Sequence, residues 1–230
     1  MRASSLLGVA GAAVAGSLLG APVPVASAEP CPDVEVVFAR GTGEPPGVGG
    51  VGQAFVDAVR SQAAGKSVSV YPVNYAASSD FSNPTAFAQT VIDGVRDAGS
   101  HVQATAANCP NTRIVLGGYS QGAAVAGFVT SAEVPQGVPA AAVPPPLPPD
   151  VADHVAAVAL FGKPSNAWTG RYGAPAITVG PTYVAKTTEL CAQGDTICDG
   201  TPGGDPSFAH ALYPVNGMVG DAATFAAGRL

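Results

Sequence analysis

Gly118-Tyr119-Ser120-Gln121-Gly122 fits the pattern Gly-x-Ser-x-Gly. Residues of these types suit one kind of chemistry, the attack of a serine hydroxyl on an acyl carbon. That hydroxyl is a weak nucleophile until a base takes its proton. A base, an orienting acid and donors for the oxyanion must therefore come from elsewhere in the chain. In a sequence with 29 glycines the five-residue pattern carries little weight alone. Its setting carries more. Arg113-Ile114-Val115-Leu116-Gly117 reads as a buried strand, and a helical pattern with Val125, Phe128 and Val129 begins directly after Ser120. A strand–turn–helix junction of this type lifts the serine hydroxyl to the carboxyl edge of a sheet. Gly118 and Gly122 leave room for strand and helix to approach, and the Gln121 N–H faces the oxyanion.

The chain has three histidines. His101 falls on the polar side of a long helical pattern, four residues after Asp97, and reads as a surface pair. His154 precedes a strand and so lies at the amino end of the sheet. His210, after the last strand, can reach the carboxyl edge and is the base by elimination. In the order Ser…Asp…His, Asp195, Asp199 and Asp205 are candidate acids. Asp195 is favoured because Cys191 and Cys198 bracket it, and a braced loop would hold its carboxylate against the imidazole. Asp150 and Asp153 belong to the wrong edge. The loop Arg40-Gly41-Thr42-Gly43-Glu44 offers the Thr42 N–H as a second oxyanion donor. Phe81, Leu212 and Tyr213 are candidates to line an acyl groove.

These groups converge only if the elements between them form one parallel sheet. Short apolar runs at 34–39, 68–74, 113–117, 155–161 and 182–190 read as five strands. Helical patterns separate them: Gly49 to Gln62, a long one capped by Asn83-Pro84, one after Ser120, and a last one over Met218 to Ala227. In the long helix Phe87, Val91, Val95, Ala98 and Val102 are expected to share one apolar stripe. Strands alternating with helices argue for an α/β three-layer sandwich, a parallel sheet with helices on both faces. Seven prolines within 135–149 exclude a regular helix or central strand there and predict an extended loop. No segment is large enough for a separate lid domain.

Met1-Arg2, an apolar run from Leu6 to Leu19 and Ala26-Ser27-Ala28 describe a secretory signal peptide over residues 1–28. The remaining 29–230 are expected to form one domain, secreted and extracellular or cell-wall associated. No later segment suits a transmembrane span. Removing Arg2 with the leader takes the formal net charge from −6 to −7, so a nucleic-acid partner is excluded. The glycine-rich run after Arg40 lacks the Gly-Lys-Ser/Thr ending of a phosphate loop, so no nucleotide is expected. Four cysteines in an exported chain suggest two disulfides. In sheet order 2-1-3-4-5, Cys31 and Cys109 precede neighbouring strands, which lie ~4.8 Å apart. Cys191 and Cys198 both follow strand five. Crossed pairs would have to span a strand length of ~17 Å. The spacing therefore predicts Cys31–Cys109 and Cys191–Cys198, with no metal and no cofactor.

The segments ARGTGE (39–44), GGYSQGAAV (117–125), CAQGDTIC (191–198) and HALY (210–213) together resemble the cutinase family of serine esterases, of the bacterial cutinase-like kind. The resemblance runs in family order over nearly all of 29–230. It implies a lidless α/β-hydrolase fold, a Ser120–Asp195–His210 triad, Thr42 and Gln121 as the oxyanion pair, and the same two disulfides. It further implies a monomer hydrolysing carboxylic esters or lipids through an acyl-enzyme, with an accessible serine. An acyltransferase or phospholipase using the same triad, and a non-catalytic lipid-binding relative, are the alternatives. Fungal members cut cutin, and bacterial relatives often act on simpler acyl esters. This chain departs from the fungal pattern in the proline-rich loop and in Thr201 to Ser207, both placed to border the cleft.

Overall fold

Near-continuous apolar runs such as 34–39 and 155–161 make a sheet with two buried faces, and the sequence supplies helices to cover both. In the computed structural model, which describes residues 30–202 and 205–230, five parallel strands run β2-β1-β3-β4-β5. They are β1 (Val34–Ala39), β2 (Val68–Pro72), β3 (Arg113–Tyr119), β4 (Val155–Phe161) and β5 (Thr187–Leu190). Val34, Val36 and Phe38 point to one face of β1, and Val37 and Ala39 to the other. The first face is covered by α1 (Gly49–Gln62) and α6 (Met218–Ala227), around the clustered rings of Phe38, Phe55 and Phe161. The second is covered by α2 (Pro84–Asn108) and α3 (Gln121–Val129). Cys31–Leu230 form one compact unit. The expected leader over residues 1–28 lies outside the described residues. Among those described, no helix is long and apolar enough to cross a membrane.

Local rules account for the boundaries. The Asn83 side chain accepts the Ala86 N–H at 3.1 Å, and Pro84 opens α2. β2 stops at Pro72, short of the expected Asn74. The expected fifth strand over 182–190 splits into α5 (Pro181–Val184) and the four-residue β5. Pro181 follows Gly180 at a first helical position, which favours a helical turn, and Tyr183 is buried by it. A short helix α4 (Asn166–Gly170), capped by Ser165, is a further element that the apolar pattern did not reveal. The proline-rich stretch makes a turn at 135–138, with Gly137 at φ 82°, and a 3-10 turn at Ala140–Ala142, runs extended through 144–148, and enters a second 3-10 turn at Pro149.

The stripe expected on α2 is buried to different depths along its length, with Val91 and Val95 packed against the same core as Ala98 and Val102. Ala98 and Val102 are fully buried under the sheet, whereas Phe87, Val91 and Val95 are half-buried. Over 25 residues the 3.6-residue period rotates a spacing of four gradually around the helix. The amino-terminal half therefore carries its apolar residues to the edge of the core, where Val91 and Val95 still touch it.

The two disulfides pair Cys31 with Cys109 and Cys191 with Cys198, with Cα separations of 5.5 and 5.7 Å. The first ties the entry of β1 to the entry of its neighbour β3. The second closes an eight-residue loop after β5.

Candidate active site

Ser120 occupies the turn between β3 and α3 at φ 56°, ψ −117°, a region unfavourable for L-residues and open to glycine. Such strain is retained where the surroundings over-determine it. Here they do: a Cβ on Gly118 would lie 2.1 Å from the Gly122 carbonyl oxygen, and one on Gly122 1.9 Å from that of Ala39. The Ser120 N–H donates to the Phe161 carbonyl at 2.9 Å, which fixes the turn to β4.

The Ser120 hydroxyl lies 2.8 Å from His210 Nε2, and His210 Nδ1 lies 2.8 Å from Asp195 Oδ2. His210 sits on a 3-10 turn, Phe208–Ala211. Its ring packs against Tyr119, whose hydroxyl donates to the His210 carbonyl at 2.7 Å. Gly162, at φ 58°, passes close on another side: a Cβ there would be 2.9 Å from His210 Cε1. Asp195 is wholly buried. Burial pushes its carboxyl up, but hydrogen bonds from His210 and Tyr213, the nearby imidazole and the Ile197 N–H outweigh that and hold it below the ordinary carboxylate range. Asp199 and Asp205 are exposed: Asp199 caps the Thr201 N–H and Asp205 accepts from Thr196 through its backbone.

Tyr213 is a correction. It was expected in an acyl groove, but it is fully buried beneath the acid. Its hydroxyl donates to Asp195 Oδ2 at 2.6 Å and accepts the Ala192 N–H at 3.1 Å. Burial, then the bond to Asp195, raises its pKa, so it stays a donor. Leu212 ends the His210 turn and does not line the cleft; of the three candidates only Phe81 does. Tyr213→Phe should deprive Asp195 of one donor and leave the Ala192 N–H buried without a partner. The expected loss is about 1–3 kcal/mol in urea unfolding, with the Asp195 pKa moving up.

His101 also departs from expectation. Its Nε2 lies 3.0 Å from Glu35 on β1, and its ring stacks on Tyr71. Asp97 instead accepts from Tyr71 and from the Asn74 N–H. The cause is tertiary: the partner is 66 residues away, on the strand that α2 crosses. His154 lies at the amino edge of β4.

Thr42 lines the same cleft as Ser120, Gln121 and His210. Its loop is braced from behind. The buried Arg40 donates to the Glu44 and Tyr75 carbonyls at 2.8 and 2.6 Å. Glu44 accepts the Gly41 and Gly50 N–H groups. Gln121 heads α3, ahead of the first intrahelical bond at Ala124, so its N–H has no partner within the helix. Its side chain turns away to the Ser78 carbonyl. This arrangement can take a proton from a hydroxyl, hold the resulting imidazolium, and offer backbone donors to an oxyanion. Ser120 is only 9 % exposed, less open than expected. No separate lid domain is present among the described residues. Instead, Phe81, Trp168 on α4, Tyr172 just after it and the proline-rich segment wall a cleft of about 630 Å³ around it.

Residues 30–230 match the family model described as Cutinase. The chain is 61% identical over 170 residues to the probable carboxylesterase Culp7 of Mycobacterium tuberculosis, covering 74% of this chain and 89% of the relative. It is 47% identical to the carboxylesterase Culp1 of Mycobacterium bovis over 100% of this chain and 98% of that one. A Trichoderma reesei cutinase bound to a C11Y4 phosphonate inhibitor superposes with a TM-score of 0.62 at 27% identity, covering 86% of this chain and 77% of its own. On the fold, the serine elbow and these matches, the chain belongs to the cutinase family and is a carboxylic ester hydrolase.

Proposed function

We propose that the protein hydrolyses fatty-acyl esters through a covalent acyl-enzyme, with Ser120 as nucleophile, His210 as general base and acid, and Asp195 as the group that orients and stabilises the imidazolium. The observation that carries this reading is the unbroken hydrogen-bonded line from Ser120 Oγ through His210 to the buried, ionised Asp195. Ser120 attacks the ester carbonyl as His210 Nε2 accepts its proton. The oxyanion is held by the N–H groups of Gln121 and Thr42. His210 then protonates the departing alcohol, and water repeats the sequence on the acyl-serine. The Asp195 side chain keeps Nδ1 protonated throughout, so that Nε2 is free to accept.

Two disulfides support export, because they persist in oxidising compartments. We place the enzyme outside the cell, acting as a monomer on ester or lipid substrates and not on nucleic acid.

A neutral organophosphate tests the assignment. Diethyl p-nitrophenyl phosphate is expected to abolish p-nitrophenyl butanoate turnover in step with one phosphorylated residue per chain, mapped to Ser120. Turnover that survives full phosphorylation of Ser120, or label found on another residue, would overturn it.

A further inference from the structure

The cleft at Ser120 does not end beside it. It runs on between the outer face of α2 and the proline-rich loop, as far as Gly99 and Gln103 on the helix and Leu147 on the loop. The direction follows from the fold. α2 begins beside Phe81 at the carboxyl edge, since Phe81 and Phe87 rings touch, and His101 reaches Glu35 near the start of β1. The groove therefore descends from the serine along much of the depth of the sheet. From Phe87 to Gln103 the helix rises about 24 Å at 1.5 Å per residue. The cavity of about 630 Å³ falls within the ~300–1,000 Å³ typical of ligand sites.

Its surface is apolar over most of this length. Phe87, Val91, Ile92 and Val95 stay half-buried on α2 although the opposite face of that helix is packed in the core. On α2 the polar lining residues are Arg96, Ser100 and Gln103, and Ser131, Glu133 and Thr169 add a few more from other segments. Two glycines on the helix have different reasons to be there. Gly94 is required by packing, since a Cβ would lie 2.9 Å from Val125. At Gly99 a Cβ would meet only Leu147, at an ordinary 3.7 Å. Packing does not demand glycine at Gly99, and a helix interior disfavours it. Anything larger than a methyl there would fill the gap between helix and loop.

We propose that this groove holds the acyl chain of the substrate, that it suits long-chain groups of the palmitoyl class, and that Gly99 keeps its far half open. The proposal rests on Ser120 being the nucleophile, because the occupant is the chain carried by the acyl-serine. The alcohol side of the ester leaves from the opposite, His210 side of the serine. The proline-rich loop gives the groove a wall that needs little ordering when the chain enters, since proline fixes its own backbone.

The test compares kcat/KM over p-nitrophenyl esters from acetyl to palmitoyl. In the native protein kcat/KM is expected to rise from butanoyl to palmitoyl, by up to about fourfold for each methylene that leaves water. Gly99→Leu should lower the palmitoyl-to-butanoyl ratio at least about tenfold, as expected when two or more methylenes lose their buried site. Ile92→Trp, nearer the serine, should move the cut-off to shorter chains than Gly99→Leu does. It also makes the same test should the leucine variant fail to fold, which circular dichroism reports. A native profile that falls beyond butanoyl, or folded variants with the native ratio, would overturn the groove assignment and leave the esterase reading standing. No turnover of any ester, butanoyl included, would overturn the esterase reading and this proposal with it.

Discussion

Ser120→Ala is expected to lower kcat on p-nitrophenyl butanoate by about five to six orders of magnitude, with KM changed little. The substitution removes the attacking oxygen and nothing that binds the ester. The cleft walls, the Thr42 loop and the head of α3 remain, and a small residual rate from the oxyanion donors should persist. The fold should also survive. Alanine at φ 56° is about as strained as serine, and the strain is imposed by Gly118, Gly122 and the bond to Phe161, which the variant retains. The only hydrogen bond lost is that to His210. Thermal unfolding of the variant should therefore fall close to that of the native protein. A folded variant retaining more than about a thousandth of native kcat would move the nucleophile elsewhere.

What could be read in advance was the chemistry that sits within a few residues of its own cause. Gly118, Ser120 and Gly122 belong to one turn, and the strand and helix on either side declare themselves by apolar pattern. Asn83 and Pro84 mark the start of α2 in the same local way. The disulfides followed from sheet order, because two cysteines precede neighbouring strands. The misplaced residues all depend on where the chain returns after a crossover. His101 was paired with Asp97, its neighbour on the helix, because its true partner Glu35 comes from β1. Tyr213, three residues after His210 in the chain, was given to the substrate groove, yet it is fully buried. Its burial depends on β4, β5 and the Cys191–Cys198 loop closing around it. The graded burial along the α2 stripe needed the helix length and its neighbours, which a list of apolar positions does not contain. A polar atom on Tyr213 was the available signal: a buried tyrosine hydroxyl needs a partner, and the Asp195 carboxylate, already expected to face His210, has a second lone pair to offer on the same oxygen.

Asp195→Asn should lower kcat by about four orders of magnitude while leaving the backbone in place. The two amide orientations fail for different reasons. Asp195 Oδ2 accepts from both His210 Nδ1 and Tyr213, while Oδ1 accepts the Ile197 N–H. With the asparagine oxygen toward Ile197, its NH₂ faces Nδ1 and selects the tautomer protonated on Nε2. That imidazole cannot accept the serine proton. With the oxygen toward His210, the NH₂ meets the Ile197 N–H, and a buried donor is left facing a donor. The substitution should cost stability as well, in a way that pH reveals. The native carboxyl is held below its ordinary range, so its ionised form stabilises the folded state above the unfolded-chain value of about 3.9. That contribution is lost as pH falls through the depressed native value. Asparagine has no such charge to lose. The gap in urea-unfolding stability between native protein and variant should therefore be widest near pH 7 and should narrow once the pH falls below about 4. A gap constant from pH 7 to pH 3 would mean that the buried carboxylate contributes shape but not charge. The triad would then need another source for the imidazolium's stabilisation.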